Sequence, residues 1–220
     1  MLFDQARGIL LIVGTLFPIV NPIGGSLLFL LLTQEYSATE RRLLARQVAI
    51  NSFVLLISSV LLGSYILSFF GISLPVVQVG GSLVVISTGW TMLSRRDPAA
   101  SGDRGAVHQK VQAEDISKTA FYPLTLPLTV GPGSISIAIT LGANESGHLG
   151  ANVVATLSVA IATVLIALSV YVCYGYADRL AAAIGSRGMN VILRLSAFLL
   201  VCIGVQILWN GVSALVKSLG

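Results

Sequence analysis

Six stretches of the chain, about 6–32, 44–69, 74–93, 120–143, 150–176 and 189–216, are apolar, and the charged residues fall almost entirely between them. A transmembrane helix needs roughly 20 predominantly apolar residues, so each stretch is long enough to cross a bilayer. The pattern predicts an all-α integral membrane protein of six transmembrane helices, built as a single transmembrane domain over 1–220. A cleavable signal peptide is not expected, because Asp4 offsets Arg7 ahead of the first apolar run and no A-x-A site follows it.

The basic residues between the spans give an orientation. Loops 1–2, 3–4 and 5–6 hold ten of them: Arg41, Arg42, Arg46, Arg95, Arg96, Arg104, Lys110, Lys118, Arg179 and Arg187. The opposite face holds two, Arg7 and Lys217, and Arg194 lies inside span six. An excess of Lys and Arg marks the cytoplasmic side, so both termini are expected in the periplasm. The polar 94–119 segment reads as a cytoplasmic linker between two halves.

Composition agrees and narrows the function. Hydrophobic residues make up 55% of the chain and charged residues 10%, with a mean hydropathy of +0.90. Soluble domains carry about 25% charged residues to cover their surface, so a water-soluble enzyme or nucleic-acid binder is excluded. The net charge of +4 belongs to the basic loops rather than to a DNA-binding face. Two cysteines, Cys173 and Cys202, make no disulfide framework and no metal pattern, and they read as small apolar packing residues. His108 and His148 fall in loops on opposite sides. No metal and no cofactor are expected.

The two halves resemble each other. Repeat one covers about 1–93 and repeat two about 120–220, with three spans each. Spans one and four, LFPIVNPIGGSLLFLLL and TLPLTVGPGSISIAITL, both carry two prolines and a glycine cluster near mid-membrane. Spans three and six align without gaps, VQVGGSLVVISTGWTML over LRLSAFLLVCIGVQILW, pairing Gln78 with Arg194 and Trp90 with Gln206. An odd number of spans per repeat inverts the second copy, the arrangement of many secondary transporters.

The matched prolines predict breaks. Pro22 and Pro132 lack an N–H, so the carbonyls of Pro18 and Leu128 lose their helical partners. Asn21 before Pro22 reads as an N-cap followed by a first helical residue, and Thr129-Val130-Gly131 before Pro132 reads similarly. A proline kink repaired by neighbouring helices is the alternative; paired breaks at matching depth favour a binding site. The expected substrate-binding residues are Asn21, Pro22, Gly24, Gly25, Ser26, Thr129, Gly131, Pro132, Gly133 and Ser134. Each half-helix N-terminus offers free N–H groups and about half a positive charge, which suits a carboxylate. Freed carbonyls and the hydroxyls of Ser26, Thr129, Ser134 and Ser136 suit an ammonium group. A small zwitterion fits this inventory. A large cationic drug does not, because no Asp or Glu lies inside any span to balance it.

NPIGGSLLFLLLT (21–33), AFYPLTLPLTVGPGSI (120–135) and RLSAFLLVCIGVQILWNGV (194–212) resemble the MarC family of six-span bacterial membrane proteins, over nearly the whole chain. The resemblance implies an inner-membrane transporter of small neutral amino acids, such as glycine, alanine or serine, with protons favoured over sodium for coupling. The chain departs from the usual family pattern at Leu27, where a proline is common, and at Val130, where alanine is common.

The remaining polar residues have structural readings beside functional ones. Arg194 pairs with carbonyls, gates the cytoplasmic side, or snorkels to the interface. Asn51, Gln78, Gln206 and Asn210 suit interhelical hydrogen bonds, and Ser52, Ser59 and Gly63 suit close helix approach. Trp90 and Trp209 sit where interfacial anchors are found. The spans hold no acid, no histidine and no Ser–His or Cys–His pair, so enzymatic acid–base or nucleophilic chemistry is not expected. The expected function is a secondary transporter, and the alternative is a membrane scaffold with kinked helices and no transported substrate.

Overall fold

A computed structural model of the chain describes residues 2–94, 116–145 and 153–218. Most of the expected 94–119 linker, including Arg95, Arg96, Arg104, His108 and Lys110, lies outside the described residues, as does His148. Within them the chain is helical throughout: α1 (Leu2–Val20), α2 (Pro22–Leu32), α3 (Ala38–Phe69), α4 (Leu74–Ser94), α5 (Ile116–Thr119), a π-helical segment (Ala120–Thr129), α6 (Pro132–Glu145), α7 (Val153–Gly175) and α8 (Ala177–Lys217). Five helical spans among the described residues are long and apolar enough to cross a membrane, the first combining α1 and α2 over Gly8–Leu32. A sixth is formed if Ser117–Thr129 and Pro132–Ala143, bent by 71° from each other, act as one span.

Local chemistry sets the helix limits. Ser37 and Glu40 form a capping box at the start of α3, with the Ser37 N–H donating to Glu40 Oε2 at 2.8 Å. Gly71, at φ 68°, turns the chain between α3 and α4, a conformation that glycine adopts without a Cβ penalty. The sequence places a loop over 177–188, but α8 already begins at Ala177. Leu180, the alanines at 181–183 and Ile184 favour helix there, and the interruption comes at Gly185, with φ 71° and ψ 166°. Prolines 123 and 127 disturb the π-helical segment, where Tyr122 and Leu126 adopt extended φ/ψ and the peptides before both prolines are cis.

Packing makes α7 the central helix, against α1, α2 and α3. Its buried residues Val159, Ala162, Thr163, Ile166, Val170 and Tyr174 recur at three- and four-residue steps, which is one face of an α-helix. Leu44, Val48, Ser52, Leu56 and Val60 make the matching stripe of α3. The outward faces are apolar too: Leu62, Tyr65, Ile66, Leu83, Leu195, Phe198 and Val205 are all exposed, as lipid-facing residues are.

Glycines bring several helices into backbone contact. The most extensive packing is α4 on α8, where a Cβ on Gly89 would meet the Ala197 carbonyl at 2.9 Å, and one on Gly211 the Pro75 carbonyl at 3.0 Å. Residue numbers rise along α8 as they fall along α4, so the two run antiparallel. Gly63 of α3 approaches Ile139 of α6, and Gly142 of α6 approaches the Val60 backbone, in keeping with the close approach expected at Gly63. Small residues at such seams let dispersion and backbone dipoles act at short range.

Candidate functional site

The first proline interruption is a self-contained cap. Asn21 lies in the left-handed region, φ 47° and ψ 58°, which Asn visits more readily than most residues. Its Oδ1 accepts from the Gly24 N–H at 3.2 Å, and its carbonyl accepts from the Gly25 N–H at 2.8 Å. Its own N–H still donates to the Phe17 carbonyl at 2.9 Å. Asn21 therefore acts as the expected N-cap with Pro22 as first helical residue, and part of the donor capacity of the α2 N-terminus is taken up locally. Pro22, Gly24, Gly25 and Ser26 are all buried, and the Ser26 hydroxyl donates to the Ile23 carbonyl at 2.6 Å.

The second interruption is more open. Val130 leaves helical geometry at φ −115° and ψ 88°. The first turn of α6 closes with the Ile135 N–H donating to the Gly131 carbonyl at 3.1 Å. Pro132 has no N–H, and the N–H groups of Gly133 and Ser134 precede the first intrahelical bond, so the helix itself gives them no acceptor. The Ser134 hydroxyl donates to the Gly131 carbonyl at 3.0 Å, and the Thr129 hydroxyl to the Leu124 carbonyl at 2.7 Å. Both protons are thus committed within the protein, and these hydroxyls offer lone pairs to anything else they meet.

Thr129, Gly131, Pro132, Gly133 and Ser134 line one cavity of ≈ 230 Å³, closed by Val84, Val85 and Thr88 of α4, Leu200 of α8, Ile19 of α1 and Pro127 with Leu128. No charged side chain is among its walls. Its polar equipment is the N-terminal end of α6, with partial positive charge, beside hydroxyl acceptors. A Cβ on Gly133 would run into Val85 Cγ2, so only glycine lets α4 close this wall.

Asn21, Pro22, Gly24, Gly25 and Ser26 do not line that cavity. They connect to it through Tyr174, a residue that sequence reasoning missed. Tyr174 is 1% exposed and stacks on Phe29 of α2 with ring centroids 4.8 Å apart. Its hydroxyl lies 2.9 Å from Thr129 Oγ1, and a Cβ on Gly25 would collide with it. Because the Thr129 proton goes to Leu124, the tyrosine is the donor in this pair. One phenol oxygen thus touches both proline interruptions.

The other candidates scatter. Ser136 donates to the Val77 carbonyl of α4 at 2.8 Å and serves packing. Gln206 donates to Asn210 at 3.0 Å on the exposed face of the same helix, not across helices as the sequence suggests; residues four apart on a helix are already neighbours. Gln78 is half-buried, with its Cβ against Gly211. Asn51 does bridge helices, with Nδ2 3.4 Å from Thr125 Oγ1. Arg194 is exposed on α8. Val130 is fully buried in the core, and Leu27 is half-buried.

Comparison with known proteins agrees with this architecture. The model of the MarC family, described as integral membrane proteins, matches residues 7–216. The inner membrane protein MarC of Salmonella arizonae is 31% identical over 217 residues, covering 97% of both chains. The membrane protein YvbG of Bacillus subtilis is 31% identical over 202 residues, covering 91% of this chain and 92% of its own. A membrane protein of Methanocaldococcus jannaschii is 30% identical over 200 residues, covering 90% of this chain and 92% of its own. No solved structure matches. With apolar helices of membrane-spanning length and a family match over nearly its whole length, the chain belongs to the MarC family of multi-pass integral membrane proteins.

Proposed function

We propose that this protein is a secondary transporter of small neutral amino acids in the inner membrane, working by alternating access between two inverted repeats and coupled to protons. The observation that carries the reading is the cavity at the start of α6. It sets the Gly133–Ser134 end of a helix beside two hydroxyls whose protons are already committed. A carboxylate is favoured by the former and an ammonium group by the latter, and the absence of a charged wall leaves nothing to reward a net-charged solute.

Packing supports the inverted repeat. Span two against span four (α3 on the π-helical segment and α6) is mirrored by span five against span one (α7 on α1 and α2). Spans three and six pair with each other, antiparallel, as equivalent elements about a two-fold axis would. The bent pair also reads as one crossing: Ser117 accepts from Gln47 near the start of α3, whereas Ser136 reaches Val77 near the start of α4. Those two starts lie on opposite sides when α3 spans.

Competition for uptake of labelled alanine by unlabelled alanine and by alaninamide tests the proposal. The amide keeps the ammonium and loses the carboxylate charge. Hydrogen bonds to charged groups contribute about 1.5–3 kcal/mol, so the amide should compete roughly tenfold to a hundredfold less well. Equal competition by both compounds would remove the helix-held carboxylate, and absence of any saturable uptake would leave the scaffold reading.

A further inference from the structure

We propose that the N-terminal turns of α3 and α8 together form a headgroup site for an anionic phospholipid on the arginine-rich side of the membrane. This inference is independent of the transported substrate. Arg42 of α3 and Arg179 of α8 both sit on the ring of Tyr176, with guanidinium carbons 5.7 Å and 5.6 Å from its centroid. The aromatic face attracts each cation, yet the two like charges repel. The neighbouring carboxylates are engaged elsewhere: Asp178 pairs with Arg41 Nη2 at 3.1 Å, and Glu40 accepts from the Ser37 backbone. Among the described residues neither Arg42 nor Arg179 comes within ion-pair distance of a carboxylate.

Two guanidiniums drawn together from distant parts of the chain, with no carboxylate among the described residues in ion-pair contact with either, suit an external anion. A phosphodiester suits them because its oxygens match the guanidinium fork. A lipid source is favoured by what lies next along α3. Ile50 and Val54, four residues apart, form an exposed apolar stripe, each about half accessible, and exposed Arg46 stands one turn before it on the same face, between Ile50 and exposed Leu43. An acyl chain lying on that stripe places its phosphate at the level of Arg42, and juxtamembrane basic clusters attract anionic lipids in this way. Because one arginine comes from each half of the molecule, the bound lipid bridges them.

Native mass spectrometry of the full chain in detergent, titrated with phosphatidylglycerol or phosphatidylcholine, tests the site. Phosphatidylglycerol should bind preferentially, and the preference should fall as salt rises. Arg42→Gln and Arg179→Gln should each weaken it by ~fivefold, while Lys217→Gln, a surface charge outside the cluster, should leave it unchanged. Arg42→Lys, which keeps the charge and loses the fork, should lose less than Arg42→Gln and serves if the glutamine variant does not fold. Equal binding of the two lipids, or equal losses in the Lys217 and arginine variants, would overturn the proposal. So would inorganic phosphate displacing the lipid at comparable concentration, since the site would then be one for free phosphate.

Discussion

Gly25→Ala is the sharpest probe of how the two proline interruptions are held together. The new methyl would overlap the Tyr174 hydroxyl, and would also meet Cζ at 3.2 Å and Cε1 at 3.3 Å. Tyr174 has little room to retreat, because it is fully buried and stacked on Phe29. Overpacking of this kind costs roughly 1–3 kcal/mol. Loss of the Tyr174–Thr129 hydrogen bond adds about 0.5–1.5 kcal/mol, and the better helix propensity of alanine returns at most about 1 kcal/mol. The net expectation is a loss of ~2 kcal/mol. Tyr174→Phe alone should cost ~1 kcal/mol, since Thr129 keeps its bond to Leu124 and no buried donor is orphaned. In the double variant the colliding oxygen is gone and only the ring carbons at 3.2 and 3.3 Å remain, tight contacts that a shift of about a few tenths of an ångström relieves, so the two changes should partly cancel, with a coupling of about 1–2 kcal/mol. Thermal unfolding of the four proteins in one detergent measures this. Additive losses would show that the tyrosine oxygen does not sit against Gly25, and the link between the two interruptions would fall with it.

Further outcomes follow from the same geometry. Gly142→Ala pushes a methyl onto the Val60 backbone, which cannot rotate away, and should destabilise by about 3 kcal/mol; Gly14→Ala meets nothing within 4 Å and should stabilise by ~0.4–1 kcal/mol. Comparable unfolding temperatures for these two variants would contradict the close α3–α6 seam. For topology, the ten-to-two distribution of basic residues predicts a periplasmic Gly220, so a phosphatase fusion there should be active and a fluorescent-protein fusion dark. The reverse pattern would refute the orientation.

How much of this was readable from the sequence depends on whether a local rule governs the residue. The span limits follow from local signals: α4, read as 74–93, is observed at Leu74–Ser94, because Gly71 and Ser73 interrupt the apolar run before it and Arg95, Arg96 and Asp97 follow it. Asn21 and Pro22 were legible because a cap and a proline act within four residues of themselves, and Gly131 before Pro132 for the same reason. Tyr174 was not, since an aromatic in an apolar helix looks like every other lipid- or core-facing ring until the helices around it are in place. The helical start of α8 was hidden by Asp178 and Arg179, whose charges suggested a loop although the following alanines favour a helix. The side chains of Gln206 and Asn210 satisfy each other four residues apart, so their polarity carried no information about a neighbouring helix.

The α4–α8 seam has an optical consequence. The chain has two tryptophans: Trp90 is on α4 and Trp209 on α8, 65% and 67% exposed on the outward faces of that closely packed pair. Both indoles therefore report the surrounding lipid or detergent rather than the cavity at α6. Brominated acyl chains should quench the intrinsic emission strongly, while a ligand entering beside Gly133 should scarcely change its wavelength. An emissive reporter of occupancy has to be introduced on the inner side, for example by Phe29→Trp against Tyr174, after both native indoles are replaced by phenylalanine.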